Sequence, residues 1–137
     1  MKDDLDRLLA QLDRKEIVDW VVEMKIGRPA YDHILAALQG GTLTTNQIRN
    51  ALHALFRLRS HATDQEVFDI YVQFARHSIQ AVRSYAVQLG VGLLRFHREY
   101  PLQPLTASPK DLATFRQAVE VGVEPRVAEL VRDYLPT

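Results

Sequence analysis

Apolar residues recur along most of the chain at intervals of three and four, which is typical of α-helices that bury one side. In the segment that begins at Thr45, one arc of the predicted helix holds four apolar residues: Ile48, Ala51, Leu52 and Leu55. The opposite arc holds five polar residues: Asn46, Arg49, Asn50, His53 and Arg57. No segment alternates apolar and polar residues with the period of two that a half-buried strand requires. The pattern therefore predicts helices and no sheet.

Start and stop signals predict where the helices begin and end. Thr44 is followed three residues later by Gln47, and this spacing predicts a capping box. Ser108 comes directly before Pro109, and proline favours the first position of a helix. Glycines 40 and 41 predict a helix end. We predict helices near residues 3–12, 14–25, 29–39, 45–59, 64–76, 79–97, 109–121 and 124–135. The expected fold is a single all-α domain over residues 1–137, with about seven or eight helices arranged as stacked antiparallel hairpins or as a compact multi-helix bundle.

The predicted helix at 79–97 differs from the others because it carries apolar residues on both sides. Val87, Val91 and Leu94 lie on the side where the helix from Thr45 has polar residues. Such a helix either packs at the centre of the fold, which we favour, or exposes an apolar strip that docks a helix of a partner. Gly90 and Gly92 each weaken the helix by about 1 kcal/mol relative to alanine, so we expect them to allow another helix to approach closely.

Two segments of the chain repeat one another. A shift of 34 residues superposes residues 47–55, QIRNALHAL, on residues 81–89, AVRSYAVQL. An amphipathic helix precedes each of them, at residues 31–38 and 67–74. This arrangement predicts helical hairpins packed side by side.

Residues 31–96 resemble HEAT-like repeats, and the second helix of the repeat unit carries the resemblance. The matching residues are an apolar residue before arginine, an alanine and two leucines: Val82, Arg83, Ala86, Leu89 and Leu93. The first copy matches less closely, and the 34-residue spacing is shorter than the roughly 40–47 residues of such repeats. The resemblance implies a non-catalytic adaptor, assembly factor or regulatory or immunity-type protein. It also implies that Arg83 pairs with an acidic residue of a neighbouring turn.

Charge adds a candidate binding surface. The chain has 17 basic and 17 acidic residues, so it lacks the strong overall field of a general nucleic-acid or anionic-membrane binder. Residues 25–63, however, hold five basic residues and one acidic residue, a net charge of +4. Arg49, His53 and Arg57 follow one another at intervals of four, and Arg83 is a candidate to extend this row. The row is predicted to bind an acidic protein surface or, alternatively, nucleic-acid phosphates; a solvated helix face is the third interpretation.

Apolar residues outside the repeat suggest two further contacts. The proline-containing loop from Tyr100 to Ala107 is predicted as a second contact with a partner, through Tyr100, Leu102 and Leu105. The last predicted helix has an apolar stripe that raises the possibility of a homodimer: Val127, Leu130, Val131 and Tyr134.

Signatures of catalysis are scarce. The chain has no cysteine, which excludes disulfides, thiolate chemistry and cysteine-ligated metals. Its five histidines fall on four different predicted helices or their ends without an H-E-x-x-H pair, and no Gly-rich phosphate loop or G-x-S-x-G motif occurs. We therefore expect no enzyme activity, no metal and no cofactor. The charged N-terminal segment and the lack of an apolar run of about 20 residues predict a cytoplasmic protein without a membrane partner.

Overall fold

The computed structural model describes residues 2–14 and 26–135, and this part of the chain is helical without any strand. It contains seven α-helices and one short 3₁₀ helix at Arg59–His61: α1 (Lys2–Ala10), α2 (Arg28–Gln39), α3 (Thr45–Arg57), α4 (Asp64–Phe74), α5 (Gln80–Glu99), α6 (Pro109–Val121) and α7 (Pro125–Tyr134). The all-α prediction is confirmed. The helix predicted at 14–25 lies outside the described residues. No helix in the two described ranges is both long enough and apolar enough to cross a membrane.

The predicted bounds of these helices agree with the observed ones to within two residues, and a capping box fixes the start of α3 and of α6. Thr44 Oγ1 accepts a hydrogen bond from the Gln47 N–H at 3.3 Å, and Gln47 Oε1 accepts one from the Thr44 N–H at 2.9 Å. Ser108 forms the same reciprocal pair with Asp111, at 3.1 and 3.0 Å. Each pair satisfies two N–H groups that the first turn of a helix otherwise leaves without partners.

The chain contacts divide into two compact units, residues 1–63 and 64–137. In the first unit, α2 packs against both α1 and α3. All four residues of the predicted apolar arc of α3 are buried, as are Tyr31 and Ile34 of α2. The prediction that the apolar arc of α3 is buried is thus confirmed, and the arc is part of a hydrophobic core.

Two residues of the predicted polar arc of α3 also bond to the turn after α1. Asn50 Nδ2 donates to the carbonyl oxygens of Leu12 and Arg14 at 2.9 and 3.2 Å. Asn46 Nδ2 donates to the carbonyl of Asp13 at 2.7 Å. The two amides therefore hold the turn after α1 against α3 and supply donors to three carbonyl oxygens of that turn.

In the second unit, α5 contacts each of the other three helices, α4, α6 and α7. Val87 and Val91 are fully buried, and Leu94 is half-buried. A helix surrounded on three sides has little surface left for water, which explains its apolar residues on both faces. Burial is therefore the correct interpretation for Val87 and Val91, and the exposed docking strip is wrong.

The two glycines of α5 have different surroundings. A Cβ placed on Gly90 would lie 2.6 Å from Phe115 Cζ of α6 and 3.4 Å from Tyr71 Cβ of α4. A Cβ on Gly92 would meet nothing within 4 Å. The expected close approach of a neighbouring helix is thus confirmed at Gly90 and does not occur at Gly92.

Candidate partner-binding surfaces

The row of basic residues predicted on α3, which we call the basic ridge, consists of Arg49, His53 and Arg57. Arg49 and Arg57 are exposed, and His53 is half-buried. A rise of 1.5 Å per residue separates the two arginines by about 12 Å along the helix axis. The opposite side of α3 belongs to the core of the first unit, so the ridge is on the outer side of that helix.

Little negative charge lies in the sequence around the ridge. Helix α3 contains no aspartate or glutamate. Asp32, the single acidic residue of the segment 25–63, pairs with Arg28 at 3.0 Å. The segment therefore keeps a net charge of +4 with Asp32 included.

Arg83, the fourth predicted basic contact residue, belongs to the interior of the second unit. Its residue surface is only 7% exposed. Nε donates to the carbonyl of Gly122 at 2.8 Å, and Nη1 donates to those of His77 and Ser78 at 3.0 and 3.1 Å. Arg83 therefore stabilises the connection before α5 and the end of α6, and it is too buried to serve as the predicted exposed contact. Its hydrogen-bond acceptors are carbonyl oxygens, whereas the resemblance implied an acidic side chain.

The loop between α5 and α6 exposes apolar side chains. Leu102 is 87% exposed and Tyr100 is 55% exposed, whereas Leu105 is half-buried. The Tyr100 ring lies 5.2 Å from the ring of Phe96, centroid to centroid, and Phe96 is itself partly exposed. We call Phe96, Tyr100 and Leu102 the loop patch.

Hydrogen bonds from α4 hold the remainder of this loop in place. Gln65 exchanges two bonds with the backbone of Thr106, at 3.1 and 2.8 Å, and Gln103 Oε1 accepts from the Asp64 N–H at 2.9 Å. Side chains on a restrained loop lose less conformational freedom on binding than those on a flexible one. The loop patch thus lies next to a restrained segment of the same loop.

The apolar stripe of α7, predicted as a possible dimer contact, packs mainly within its own unit. Val127 and Val131 are buried, while Leu130 and Tyr134 are half-buried. The guanidinium of Arg95 lies 4.4 Å from the centroid of the Tyr134 ring. The two buried valines are therefore part of the core and do not supply a dimer contact.

Comparisons with known proteins identify no relative. No family model, curated protein or solved structure matches the chain. Among the residues that the structure describes, no group of three or more histidine, aspartate or glutamate side chains is placed to hold a metal ion. The functional conclusion therefore depends on the geometry of the surfaces themselves.

Phe96 was missed as a contact candidate because its spacing assigned it to the buried stripe of α5. It lies in the last turn of that helix, next to the exposed loop. Its position three residues before the helix end at Glu99 is the signal that separates it from Leu93, which is fully buried.

Proposed function

We propose that this protein is a non-catalytic interaction module that binds an acidic surface of a partner protein through the basic ridge. The observation that carries the proposal is the exposure of Arg49 and Arg57 on a helix without acidic residues, in a segment of net charge +4. The resemblance of residues 31–96 to HEAT-like repeats supports the same function, since such repeats serve as adaptors and regulatory proteins.

Arginine suits this role because its planar guanidinium donates two parallel hydrogen bonds to one carboxylate. Two arginines about 12 Å apart along one helix can engage two carboxylates of a partner and so define the orientation of binding. Exposed ion pairs contribute only about 0–1 kcal/mol each, and they act more on specificity and association rate than on affinity.

Affinity therefore requires an apolar contact as well, and the loop patch has the appropriate composition. Aromatic side chains are enriched among the residues that dominate binding energy. Tyr100 offers a ring with a polar hydroxyl, and Leu102 offers an apolar side chain that is almost fully exposed. We propose the loop patch as a second contact with a partner protein; Leu105 is half-buried and has a smaller part.

The test is affinity capture from a lysate of the source organism with the double variant Arg49→Glu and Arg57→Glu. The matched control is Arg126→Glu and Arg132→Glu, which makes the same change in charge at two exposed arginines of α7. We expect the ridge variant to lose a stoichiometric protein partner that the control retains, with both melting temperatures nearly unchanged. Retention of the partner by the ridge variant would show that the ridge is the wrong surface.

Binding of nucleic acid through the same ridge is the alternative function. Local basic patches can suffice for it, although the balanced overall charge of the chain provides no long-range attraction. Nuclease treatment of a parallel lysate separates the two functions. Partners that disappear after nuclease, together with binding that falls steeply with salt, would identify phosphate contacts.

A further inference from the structure

The second unit contains a cavity of about 490 Å³ that neither proposed contact surface includes. The turn after α4, the beginning of α5 and one side of α6 line this cavity. Its volume is within the range of about 300–1,000 Å³ that is typical of sites for small molecules.

The cavity is positively charged. Three cationic side chains, Arg76, Arg83 and Lys110, line it together with His77, and its lining includes no aspartate or glutamate. Like charges that converge in a concave site repel one another, and the site concentrates anions from solution. An anionic ligand would remove this repulsion.

Arg83 supplies a donor that is already held in place. Its three bonds to carbonyl oxygens use Nε and Nη1, and none of the described residues accepts a hydrogen bond from Nη2. Because the side chain is more than nine-tenths buried and fixed at two of its three nitrogens, Nη2 loses little freedom when it binds an anion.

Arg76 is also restrained, since its Nη2 donates to Thr114 Oγ1 at 3.1 Å. That bond links the turn after α4 to α6 beside the cavity. The Thr114 hydroxyl in turn donates to the carbonyl of Lys110 at 3.0 Å, which leaves its oxygen to accept from Arg76. Lys110 is exposed and provides a flexible ammonium group at the same site.

The remaining lining is largely apolar and small. It includes three alanines and one valine: Ala75, Ala113, Ala118 and Val121. Val121 is 61% exposed, so its apolar side chain is accessible to a ligand in the cavity. A ligand that combines an anionic group with an apolar body would match both parts of the lining.

We infer that this cavity binds a small organic anion, a carboxylate or a phosphate monoester with an apolar body. The anionic group contacts Arg83 Nη2, Arg76 and Lys110, and the apolar body packs on the alanines and Val121. This inference goes beyond the proposed partner binding and does not involve the basic ridge. Partner capture and anion binding can therefore each fail while the other persists.

Titration of the ¹⁵N-labelled protein, followed by NMR, tests the inference with phenyl phosphate as the probe and benzoate as its carboxylate counterpart. The control ligands are inorganic phosphate, which has only the anionic group of phenyl phosphate, and phenol, which has only its aromatic ring. We expect shifts at the amides of Ala113, Thr114 and Gln117, and an affinity for at least one of the two organic anions about tenfold higher than for phosphate or phenol, equivalent to about 1.4 kcal/mol. The inference would be overturned if inorganic phosphate or phenol bound as tightly as the better of the two organic anions.

Variants locate the binding. Lys110→Ala removes one charge and is expected to weaken binding about five- to tenfold. Ala113→Phe keeps every charge but fills the cavity from an exposed position of α6, so it is expected to abolish binding while the spectrum of the folded protein remains. Arg132→Ala is the charge-matched control outside the cavity and is expected to bind like the unmodified protein.

Two results would refute the site. One is the absence of any shift with either organic anion at concentrations up to about 10 mM, well above the ~1 mM range of weak binding. The other is an equal loss of affinity in Arg132→Ala and Lys110→Ala, which would show that the anions bind through general charge attraction and not in the cavity.

Discussion

The close approach of α6 to α5 at Gly90 leads to the most direct prediction about stability. Replacement of Gly90 by alanine adds a methyl group 2.6 Å from Phe115 Cζ and 3.1 Å from Cε1. The ring cannot move away easily because Phe115 is fully buried and packs edge-to-face on Phe68, with ring centroids 5.7 Å apart. Tyr71 Cβ, a backbone-linked atom at 3.4 Å, closes another side of the site.

The magnitude follows from two opposing effects. Alanine is better than glycine in a helix by about 1 kcal/mol, while an extra methyl group in a well-packed core costs about 1–3 kcal/mol. Gly90→Ala should therefore lower the free energy of unfolding by about 0–2 kcal/mol. Gly92→Ala, on the same helix and with open space around the new methyl group, should raise it by up to about 1 kcal/mol.

Urea unfolding followed by circular dichroism measures both variants. The difference between them cancels the helix preference and isolates the packing cost, which we expect to be about 1–3 kcal/mol. In a Phe115→Leu background, which removes the ring, Gly90→Ala should become neutral or stabilising. The reasoning is refuted if Gly90→Ala and Gly92→Ala are equally stable, or if the cost at Gly90 persists after the ring is removed.

Three further predictions concern polar contacts and the loop patch. Arg83→Lys cannot reproduce the three bonds to the carbonyls of His77, Ser78 and Gly122. We therefore expect it to lower the free energy of unfolding, measured by urea titration, by about 2–3 kcal/mol. A loss below about 0.5 kcal/mol would contradict the structural role of Arg83. Asn50→Ala removes two bonds to the turn after α1 and should cost about 1 kcal/mol while accelerating hydrogen exchange in α1; unchanged exchange there would argue against this anchor. Leu102→Ser, at an 87% exposed site, should change stability by less than about 0.5 kcal/mol but weaken partner capture, and undiminished capture would exclude Leu102 as a contact.

The positions of the helices could be predicted because their signals are local. The Thr44 and Ser108 caps act on N–H groups within three residues of themselves, and the apolar period of α3 needs only its own sequence. The candidate site was less predictable. The loop that carries Tyr100 and Leu102 was predicted correctly because prolines keep the segment out of a helix, and both side chains are exposed. Arg83, however, carries the same charge as Arg49 and has the opposite degree of exposure.

The sequence by itself determined that this chain forms helices, where those helices begin and end, and which side of α3 is buried, because each of these depends on neighbours within a few residues. Only the tertiary structure decided that α5 contacts three other helices and that the Phe115 ring packs against Gly90. It also decided that Arg83 donates hydrogen bonds to the carbonyl oxygens of residues 77, 78 and 122. It also gathered Arg76, Arg83 and Lys110 around one cavity. The contacts of Arg83 with Gly122 and of Gly90 with Phe115 join residues far apart in the chain, and their formation depends on how the helices pack rather than on any local pattern.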